Sequence, residues 1–393
     1  MLSNESRPYI DASVPVLRQH GLAITRHFYH SMFQAHPELR NLFNMGNQAI
    51  GTQPQSLAAA VFAYAAHYDN PNALAPVLER IVHKHASVGV KAEHYPIVGH
   101  HLINAIHAIL GEAATPQLLN AWREAYGELS NALIQAEKTL YEHAGVFAGQ
   151  LNELLVLDVH QENENVKSYR LQTRDGQSPG PFKPGQYVSV AVTIDGLRQL
   201  RQYSLSDAPE RPWWRICVKR EAARDAHPEG KISNWLHEHI QPNHILPVSA
   251  AFGDFTPTIE ASTPMALLSA GVGITPMISI LNALIERNST RPILFSHALH
   301  DRNQHLLYND VIAARSRLTE MTEFLFYERE SGRMNLSALD QSRFLETDFY
   351  VCGPAEFMRQ QWSALIEAGV SPTRIHREVF GSELLEHLIS PIE

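Results

Sequence analysis

The stretch MALLSAGVGITPMISILNALIE, residues 265–286, contains an apolar run, a glycine-rich turn and a second, longer apolar run. The first run has the length of a buried strand, and the second has the length of a helix. Glycines 271 and 273 would let the main chain approach a diphosphate, whose charge suits the amides at a helix start. Two glycines in a tight turn are common, so this turn alone is weak evidence for a nucleotide site.

The same order of strand, turn and helix recurs after this stretch. RPILFSHA (291–298) predicts another strand, and DFYVCG (348–353) leads into the helical AEFMRQQWSALIEAG (355–369). Strands that alternate with helices are typical of a parallel α/β sheet. We therefore expect an α/β domain over residues 259–393.

Before residue 259 the pattern changes to short alternating runs separated by Gly, Pro and Asp. Such runs predict an antiparallel sheet or small barrel over residues 151–258. The runs are ELLVLDVH (153–160), VKSYRLQT (166–173), QYVSVAVTI (186–194) and RICVKRE (215–221).

The first 145 residues have a helical period almost throughout, with breaks at His36-Pro37, Asn70-Pro71 and Thr115-Pro116. The small residues of AGVFAGQ (144–150) predict a linker. A multidomain chain is therefore expected, with an all-α domain at 1–145 before the barrel and the α/β domain.

The composition is that of an ordinary globular protein, with 44% hydrophobic and 19% charged residues and a net charge of −9. The negative charge argues against a nucleic-acid partner. No apolar run reaches the roughly 18 residues of a membrane span. Two cysteines give no disulfide framework, and the N-terminus lacks the pattern of a signal peptide. We expect a cytoplasmic monomer without a transmembrane segment.

One histidine, His85, lies on the apolar stripe of a predicted helix with Leu78 and Val88. Alone, this position favours a core histidine bonded to a carbonyl, with metal binding as the alternative. The last predicted helix carries a carboxylate, Glu137, within its own apolar stripe, and Tyr95 could join the two residues. A haem-ligating histidine commonly donates to such a carboxylate, although a surface position for Glu137 would explain it equally well.

Three residues of the early helices suggest an oxygen-binding pocket. Tyr29 lies on the inner face of the first helix, and Gln53 and Leu57 lie one turn apart in a later one. A phenol and an amide can donate to bound oxygen, and a leucine can restrict access to it. Each residue also has an ordinary interpretation as a core or capping residue.

Together these features resemble the globin domain of bacterial and yeast flavohaemoglobins. The match includes PELRNLFNMGNQ (37–48) and the order of the residues singled out above. The resemblance implies that His85 is the proximal iron ligand of haem b and that Tyr29 is the distal donor. It also implies that Tyr95 and Glu137 form a charge relay with His85. Further implied site residues are Phe43, which would pack on the haem, and Gln53, Leu57 and Lys84.

RQYSLS (201–206) combines an arginine suited to a phosphate, an aromatic ring and a serine. With PFKPGQYVSV (181–190) and GKISNWLH (230–237), it resembles the FAD domain of ferredoxin-reductase-like proteins. The implied FAD contacts are Tyr187, Arg201, Gln202, Tyr203, Ser204, Lys231, Ile232 and Ser233.

The glycine turn and CGPAEFM (352–358) resemble the NAD(P)H domain of the same reductases. Cys352 would lie near the nicotinamide, although a small buried residue at a strand end fits equally well. The implied dinucleotide contacts are Gly271, Val272, Gly273, Ile274, Thr275, Pro276, Cys352, Gly353 and Pro354.

The ending IHREVFG (375–381) resembles that of flavohaemoglobins, with Glu378 near the haem–flavin gap and Phe380 against the flavin. The family usually has proline where this chain has Ser382. Val379, Gly381 and Ser382 are the other implied flavin neighbours.

The resemblance implies an all-α globin, an antiparallel FAD barrel and an α/β NAD(P)H domain that together oxidise nitric oxide with O2 to nitrate. A nicotinamide delivers electrons in pairs and haem iron accepts them singly, so a flavin belongs between them. Three alternatives remain: an O2 or NO sensor or store with an attached reductase, a flavin reductase without haem, and reduction of peroxides or of NO. These residues do not decide between NADH and NADPH.

Overall fold

A computed structural model gives the structure of the chain and describes residues 2–49, 51–223, 229–339 and 341–381. The chain divides into two compact units. Of the described residues, the first comprises those within 2–150 and 191–200 together with Gly381, and the second comprises those within 151–190 and 201–380.

The N-terminal region is helical, as its period predicts. Its helices are α1 (Arg7–Ala35), α2 (Met45–Ala49), α3 (Thr52–His67), α4 (Pro71–Val88), α5 (His94–Leu110) and α6 (Pro116–Ala144). The predicted breaks at proline are helix starts: Pro37 begins a short 3-10 helix (Pro37–Leu42), Pro71 begins α4 and Pro116 begins α6. Asn70 caps α4 by accepting from Ala73 N, and Thr115 caps α6 by accepting from Leu118 N.

The core of this unit forms where α1 packs against α3 and α5. Phe28 and Met32 of α1 and Ile106 of α5 are among its largest buried side chains. Helices α5 and α6 approach closely at Gly99, where an added Cβ would lie 2.5 Å from the Tyr126 ring. A glycine is therefore required at this crossing.

The middle of the chain forms an antiparallel sheet. Its strands are β1 (Asn152–Asn163), β2 (Val166–Gln172), β3 (Tyr187–Ile194), β4 (Leu197–Ser204), β5 (Trp214–Lys219) and β6 (Ile245–Val248), with helix α7 (Lys231–His239) before β6. Their order in the sheet is β4-β3-β6-β1-β2-β5. Beyond β4, Leu205 bridges Ile216 of β5 and Ser206 N donates to Arg215 O at 2.8 Å. These contacts join the outer strands, so the sheet closes into the predicted barrel.

The rest of the described chain forms a parallel α/β sheet. Its elements are β7 (Met265–Ala270), α8 (Ile274–Glu286), β8 (Ile293–Leu299), α9 (Tyr308–Arg317), β9 (Met321–Tyr327), α10 (Glu328–Ser331), β10 (Asp348–Cys352), α11 (Ala355–Glu367) and β11 (Ile375–Glu378). The strand order is β11-β10-β7-β8-β9, and every pair is parallel. The order reverses between β7 and β10, and ligands of such sheets bind where the carboxyl ends of those strands meet.

The predicted fold class is therefore confirmed: an all-α region is followed by an antiparallel barrel and a parallel α/β sheet. The predicted domain limits fall in connections between elements. None of the helices in the described residues combines the length and apolar character needed to cross a bilayer.

A buried arginine fixes the connection between the barrel and the parallel sheet. Arg291 donates from Nε to Thr263 O at 2.9 Å and from Nη1 to Thr258 O at 3.0 Å. The Arg291 side chain is 5% exposed, so these carbonyls have little access to water as a substitute partner.

We expect Arg291→Met to lower the free energy of unfolding of the second unit by about 2–4 kcal/mol, because two carbonyls lose their donor. Urea denaturation followed by tryptophan fluorescence measures this change. Arg287→Met removes an exposed guanidinium at the end of α8 and should change stability by less than about 0.5 kcal/mol. Equal stability of the two variants would contradict the anchoring role.

Candidate functional site

Helices α4, α5 and α6 bring His85, Tyr95 and Glu137 together. His85 Nδ1 lies 2.8 Å from Glu137 Oε1 and 3.1 Å from the Tyr95 hydroxyl, and Tyr95 donates to the same Glu137 oxygen. Glu137 is only 2% exposed, and these donors offset the cost of burying its carboxylate. The alternatives of a surface Glu137 and a carbonyl-bonded His85 are therefore wrong.

The hydrogen bonds of His85 decide which of its nitrogens can bind a metal. Because the Glu137 oxygen accepts at Nδ1, we assign the ring proton to that nitrogen, and Nε2 then carries a free lone pair. An imidazole in this form, with a carboxylate behind it, is the donor that haem iron binds on its proximal side. The residues present therefore fit the predicted haem ligand.

Two further tyrosines hold this cluster in place. Tyr126 donates to Tyr95 O at 2.7 Å, and Tyr141 donates to Val90 O at 3.0 Å. Burial, reinforced by Glu137, raises the pKa of the Tyr95 phenol, so Tyr95 remains a proton donor. The sequence argument gave neither tyrosine a role. Tyr141 could have been found, since it lies one helical turn after Glu137 on the same face.

A second group surrounds the phenol of Tyr29. The Tyr29 ring lies 4.8 Å from the Phe28 ring and 5.7 Å from the Phe43 ring, between centroids. Burial raises the pKa of the Tyr29 phenol, and the amides of Gln53 and Gln48 lower it in part. Tyr29 is therefore a neutral hydrogen-bond donor in an apolar pocket.

Some of the predicted distal residues lie in the same region as Tyr29. Phe43 and Leu57 pack against the same apolar core as Tyr29, and Gln53 lies at the phenol. Lys84 is half-buried on α4 beside His85.

The structure also shows two polar atoms in this region that the sequence argument missed. Gln48 Nε2 and Ser56 Oγ are buried and make no hydrogen bond of normal geometry with any of the described residues. Gln48 neighbours Tyr29, and Ser56 lies three residues after Gln53 on α3. The Ser56 hydroxyl is therefore a buried polar group that no described residue satisfies.

The end of β4 carries the predicted flavin residues. Ser204 is buried, and its Oγ has no hydrogen-bond partner within the described ranges. Burial raises the pKa of the Tyr203 phenol, and the nearby Arg201 guanidinium lowers it in part. Gln202 Nε2 donates to Ser189 Oγ at 3.1 Å. An unused buried hydroxyl at the end of the strand that carries this arginine and phenol fits a group with both a polar ring edge and a phosphate, as FAD has.

The remaining flavin candidates occupy different environments. Tyr187 is buried at the start of β3 and pairs with Phe252 through an isolated antiparallel bridge. At the start of α7, Lys231 is exposed and Ile232 is buried. Ser233 Oγ accepts from Glu221 N and donates to Gly230 O, so the Ser233 hydroxyl bonds to the main chain.

The two predicted nucleotide loops touch at the reversal point of the parallel sheet. A Cβ added to Gly273 would lie 2.3 Å from Cys352 O, and one added to Gly353 would lie 3.1 Å from Ala270 Cβ. Only glycine allows this approach. The structure therefore brings together the turn after β7, which contains Val272, and the turn after β10, which contains Pro354.

Several predicted contacts point inward at this site. Ile274, Thr275 and Pro276 are buried, and Thr275 Oγ1 donates to Val272 O at 3.0 Å. A dinucleotide would therefore meet the main chain here. Cys352 is fully buried, and burial, with a further contribution from Glu378, raises the pKa of its thiol. A neutral buried thiol is a packing group and a poor nucleophile.

The last described residues follow β11. Glu378 is buried beside Cys352, its partner in the register of β10 and β11. Val379 is half-buried, Phe380 is 46% exposed and Gly381 is exposed. Ser382 lies outside the described residues.

A serine–histidine pair next to the glycine turn was also missed. Ser269 Oγ lies 2.8 Å from His297 Nδ1, and both residues are buried near the carboxyl ends of β7 and β8. Burial lowers the pKa of His297 to about 3, and its Nε2 has no partner among the described residues. The signal was available, because FSHA places a histidine inside an apolar strand.

We expect Gly273→Ala to weaken NAD+ binding at least about tenfold, which is about 1.4 kcal/mol, because the new Cβ would separate the two loops. Calorimetric titration of the purified holoprotein measures the affinity. Gly127→Ala is the control, since a Cβ there meets nothing within 4 Å. Unchanged NAD+ affinity in Gly273→Ala would show that the loop contact does not shape the site.

Three family models match successive parts of the chain. Residues 26–133 match the globin model, residues 153–256 the oxidoreductase FAD-binding domain, and residues 267–362 the oxidoreductase NAD-binding domain. The predicted cofactors, haem, FAD and a nicotinamide dinucleotide, are confirmed at the level of these domains.

Whole-chain comparisons agree. A flavohemoprotein of Bordetella parapertussis is 45% identical, over 97% of this chain and 99% of that protein. One of Rhizobium meliloti is 41% identical, over 98% and 99%. The crystal structure of a flavohemoglobin from Malassezia yamatoensis, with bound FAD and heme, matches with a TM-score of 0.85 at 30% identity, over 97% of this chain and 100% of that chain. The chain therefore belongs to the flavohemoprotein family and is an oxidoreductase with globin, FAD-binding and NAD-binding domains.

Proposed function

We propose that this protein is a nitric oxide dioxygenase, which oxidises NO with O2 to nitrate and consumes NADH or NADPH. One observation carries the proposal: the helical unit holds both the buried cluster of His85, Tyr95 and Glu137 and the buried donor Tyr29. A structure that covers 58% of this chain at 33% identity, with a TM-score of 0.55, is the FAD/NAD-binding domain of a nitric oxide dioxygenase from Vibrio cholerae. We also propose that the enzyme is a cytoplasmic monomer.

The proposal assigns each cofactor to residues of this chain. His85 Nε2 would hold the haem iron, Arg201, Tyr203 and Ser204 would contact FAD, and the turns at 271–273 and 352–354 would hold the dinucleotide. Together these groups supply a two-electron donor, a carrier that releases electrons singly and an iron centre at which O2 reacts.

The proximal cluster would make His85 a stronger ligand. The Glu137 carboxylate accepts a hydrogen bond from the Nδ1–H of His85, and this bond raises the electron density on Nε2. Tyr95 donates to the same carboxylate oxygen and holds it in place. Because Tyr126 fixes the Tyr95 main chain, the geometry is set by three helices at once.

The distal residues would act on oxygen. Tyr29 keeps its proton at physiological pH, because burial raises the phenol pKa above its ordinary value of about 10. It can donate a hydrogen bond to negative charge that develops on an oxygen atom, and such a bond is strong in an apolar pocket. Phe28, Phe33 and Phe43 pack around the Tyr29 ring and supply that apolar surrounding.

The first test is Tyr29→Phe in the purified holoenzyme. We expect NO-dependent nitrate formation in aerated buffer with NADH to fall about 100-fold, because one donor to developing charge is lost. Flavin reduction by NADH should be unchanged. Tyr68→Phe is the control, since the Tyr68 hydroxyl donates to Asp11 Oδ1 in an exposed hydrogen bond. Full nitrate formation by Tyr29→Phe would refute the distal role, and no nitrate from the wild-type holoenzyme would refute the proposed reaction.

The second test is Glu137→Gln. We expect the stretching frequency of the ferrous iron–histidine bond, measured by resonance Raman, to fall because His85 loses its anionic acceptor. Turnover should drop about 10- to 100-fold. Glu142→Gln, on the exposed face of the same helix, should leave both unchanged. A wild-type frequency in Glu137→Gln would contradict the relay.

A further inference from the structure

Five polar side chains form a network inside the second unit, and none of them belongs to the sites described above. The network comprises Asp207, Arg215, Ser279, Asn282 and Asp310, and we name it the Arg215 network. The Asp310 side chain is 15% exposed, and the other four residues are buried. Its members come from the segment after β4, from β5, from α8 and from α9.

The centre of the network is a two-pronged ion pair. Arg215 Nη1 donates to Asp310 Oδ2 at 3.1 Å, and Nη2 donates to Asp310 Oδ1 at 2.8 Å. The same guanidinium donates to the main-chain oxygen of Ser206 and, from Nε, to Ser206 Oγ at 3.3 Å. A fork of this kind fixes direction as well as distance. It ties the barrel to the first turn of α9.

Helix α8 is held by the same network. Ser279 Oγ donates to Asp207 O at 2.9 Å. The Asn282 amide donates to Asp207 Oδ1 at 3.1 Å and to Asp310 Oδ1 at 2.8 Å, so it joins the two carboxylates. Ser279 and Asn282 are three residues apart and share one face of α8.

The position of the network relates the two redox sites. Asp207 lies three residues after Ser204, whose unused hydroxyl marks the flavin site. Helix α8 begins directly after Gly273, the last residue of the dinucleotide turn. The bonds between Asp207 and α8 therefore fix the segment after the flavin residues of β4 against the helix that follows the dinucleotide turn.

Stability alone does not account for such a network. A buried ion pair loses much of its Coulomb energy to desolvation, and well-packed apolar side chains are often as stabilising. Directional bonds, in contrast, allow only one register between the barrel and α8. Such an arrangement is expected where function depends on the position of the barrel relative to α8.

We propose that the Arg215 network positions the nicotinamide against the flavin, so that its members are positioning residues for hydride transfer. The proposal rests on the proposed function only in requiring a flavin and a nicotinamide in their sites. In that step the C–H bond of the reduced nicotinamide breaks and the hydride carries both electrons to the flavin. The nicotinamide is oxidised, and the reduced flavin takes one proton from solvent. The rate of such a transfer depends steeply on alignment, and a misplacement of about 1 Å costs about 100-fold.

The test uses Asp310→Asn in the holoenzyme, because the amide keeps the shape of the side chain and removes its charge. Anaerobic stopped-flow mixing with NADH gives the limiting rate of flavin reduction per bound FAD and the dissociation constant of NADH. We expect the rate to fall about tenfold and the dissociation constant to change less than about twofold, because alignment is lost and binding is kept. With NADH deuterated at the transferred position, the isotope effect should rise.

A spectroscopic measurement separates positioning from general damage. NAD+ added to the reduced holoenzyme stacks on the flavin and gives a long-wavelength charge-transfer absorbance, which should weaken in Asp310→Asn. The control is Asp158→Asn, which breaks an exposed ion pair with Arg170 on the barrel and should leave all of these values unchanged.

A wild-type rate and charge-transfer band in Asp310→Asn would overturn the proposal, and so would a change confined to the dissociation constant of NADH. If Asp310→Asn loses FAD, Ser279→Ala decides by the same criteria, since it removes a single hydrogen bond. None of these measurements uses NO or O2. A failure to form nitrate therefore tests the proposed function separately.

Discussion

The buried carboxylate of Glu137 is the constraint on which the haem-binding half of this protein depends. A carboxylate with 2% exposure is tolerated only if donors reach it, and both donors come from other helices. Helices α4, α5 and α6 must therefore converge at one point. Gly99 permits that approach, because any side chain there would strike Tyr126. The same bond that makes the burial tolerable also assigns the proton of His85, so one contact supports the fold and orients the proposed iron ligand.

In the second unit, close packing of the main chain constrains the fold in a comparable way. The turns after β7 and β10 lie so close that Gly273 and Gly353 cannot be replaced without displacing a neighbour. This contact lies at the reversal of strand order, where we propose the nucleotide site, and Arg291 and the Arg215 network hold the flanking segments. Close approach at a few glycines and directional bonds around them define the reductase half of the site.

Local patterns in the sequence were sufficient for the fold class. The helical period, the alternating strands and the strand–turn–helix repeats each depend on neighbouring residues, and all three are present in the structure. His85 and Glu137 could be found because each is a polar residue on an apolar helical stripe, and Tyr95 was singled out only as a possible link between them. The Arg215 network could not, since Arg215 and Asp310 are 95 residues apart and each looks like an ordinary surface charge. Ser204 likewise shows its unused hydroxyl only when its surroundings are known.

The burial of both cysteines has a consequence for an enzyme whose proposed substrate is NO. Nitrosation and oxidation of thiols follow thiolate character and exposure. Cys352 is fully buried, and burial raises the pKa of Cys217 to about 12, so neither side chain offers an accessible thiolate. These two thiols would therefore resist nitrosation and oxidation by the reactive nitrogen species formed during the proposed turnover, and activity would not decline through damage at these positions.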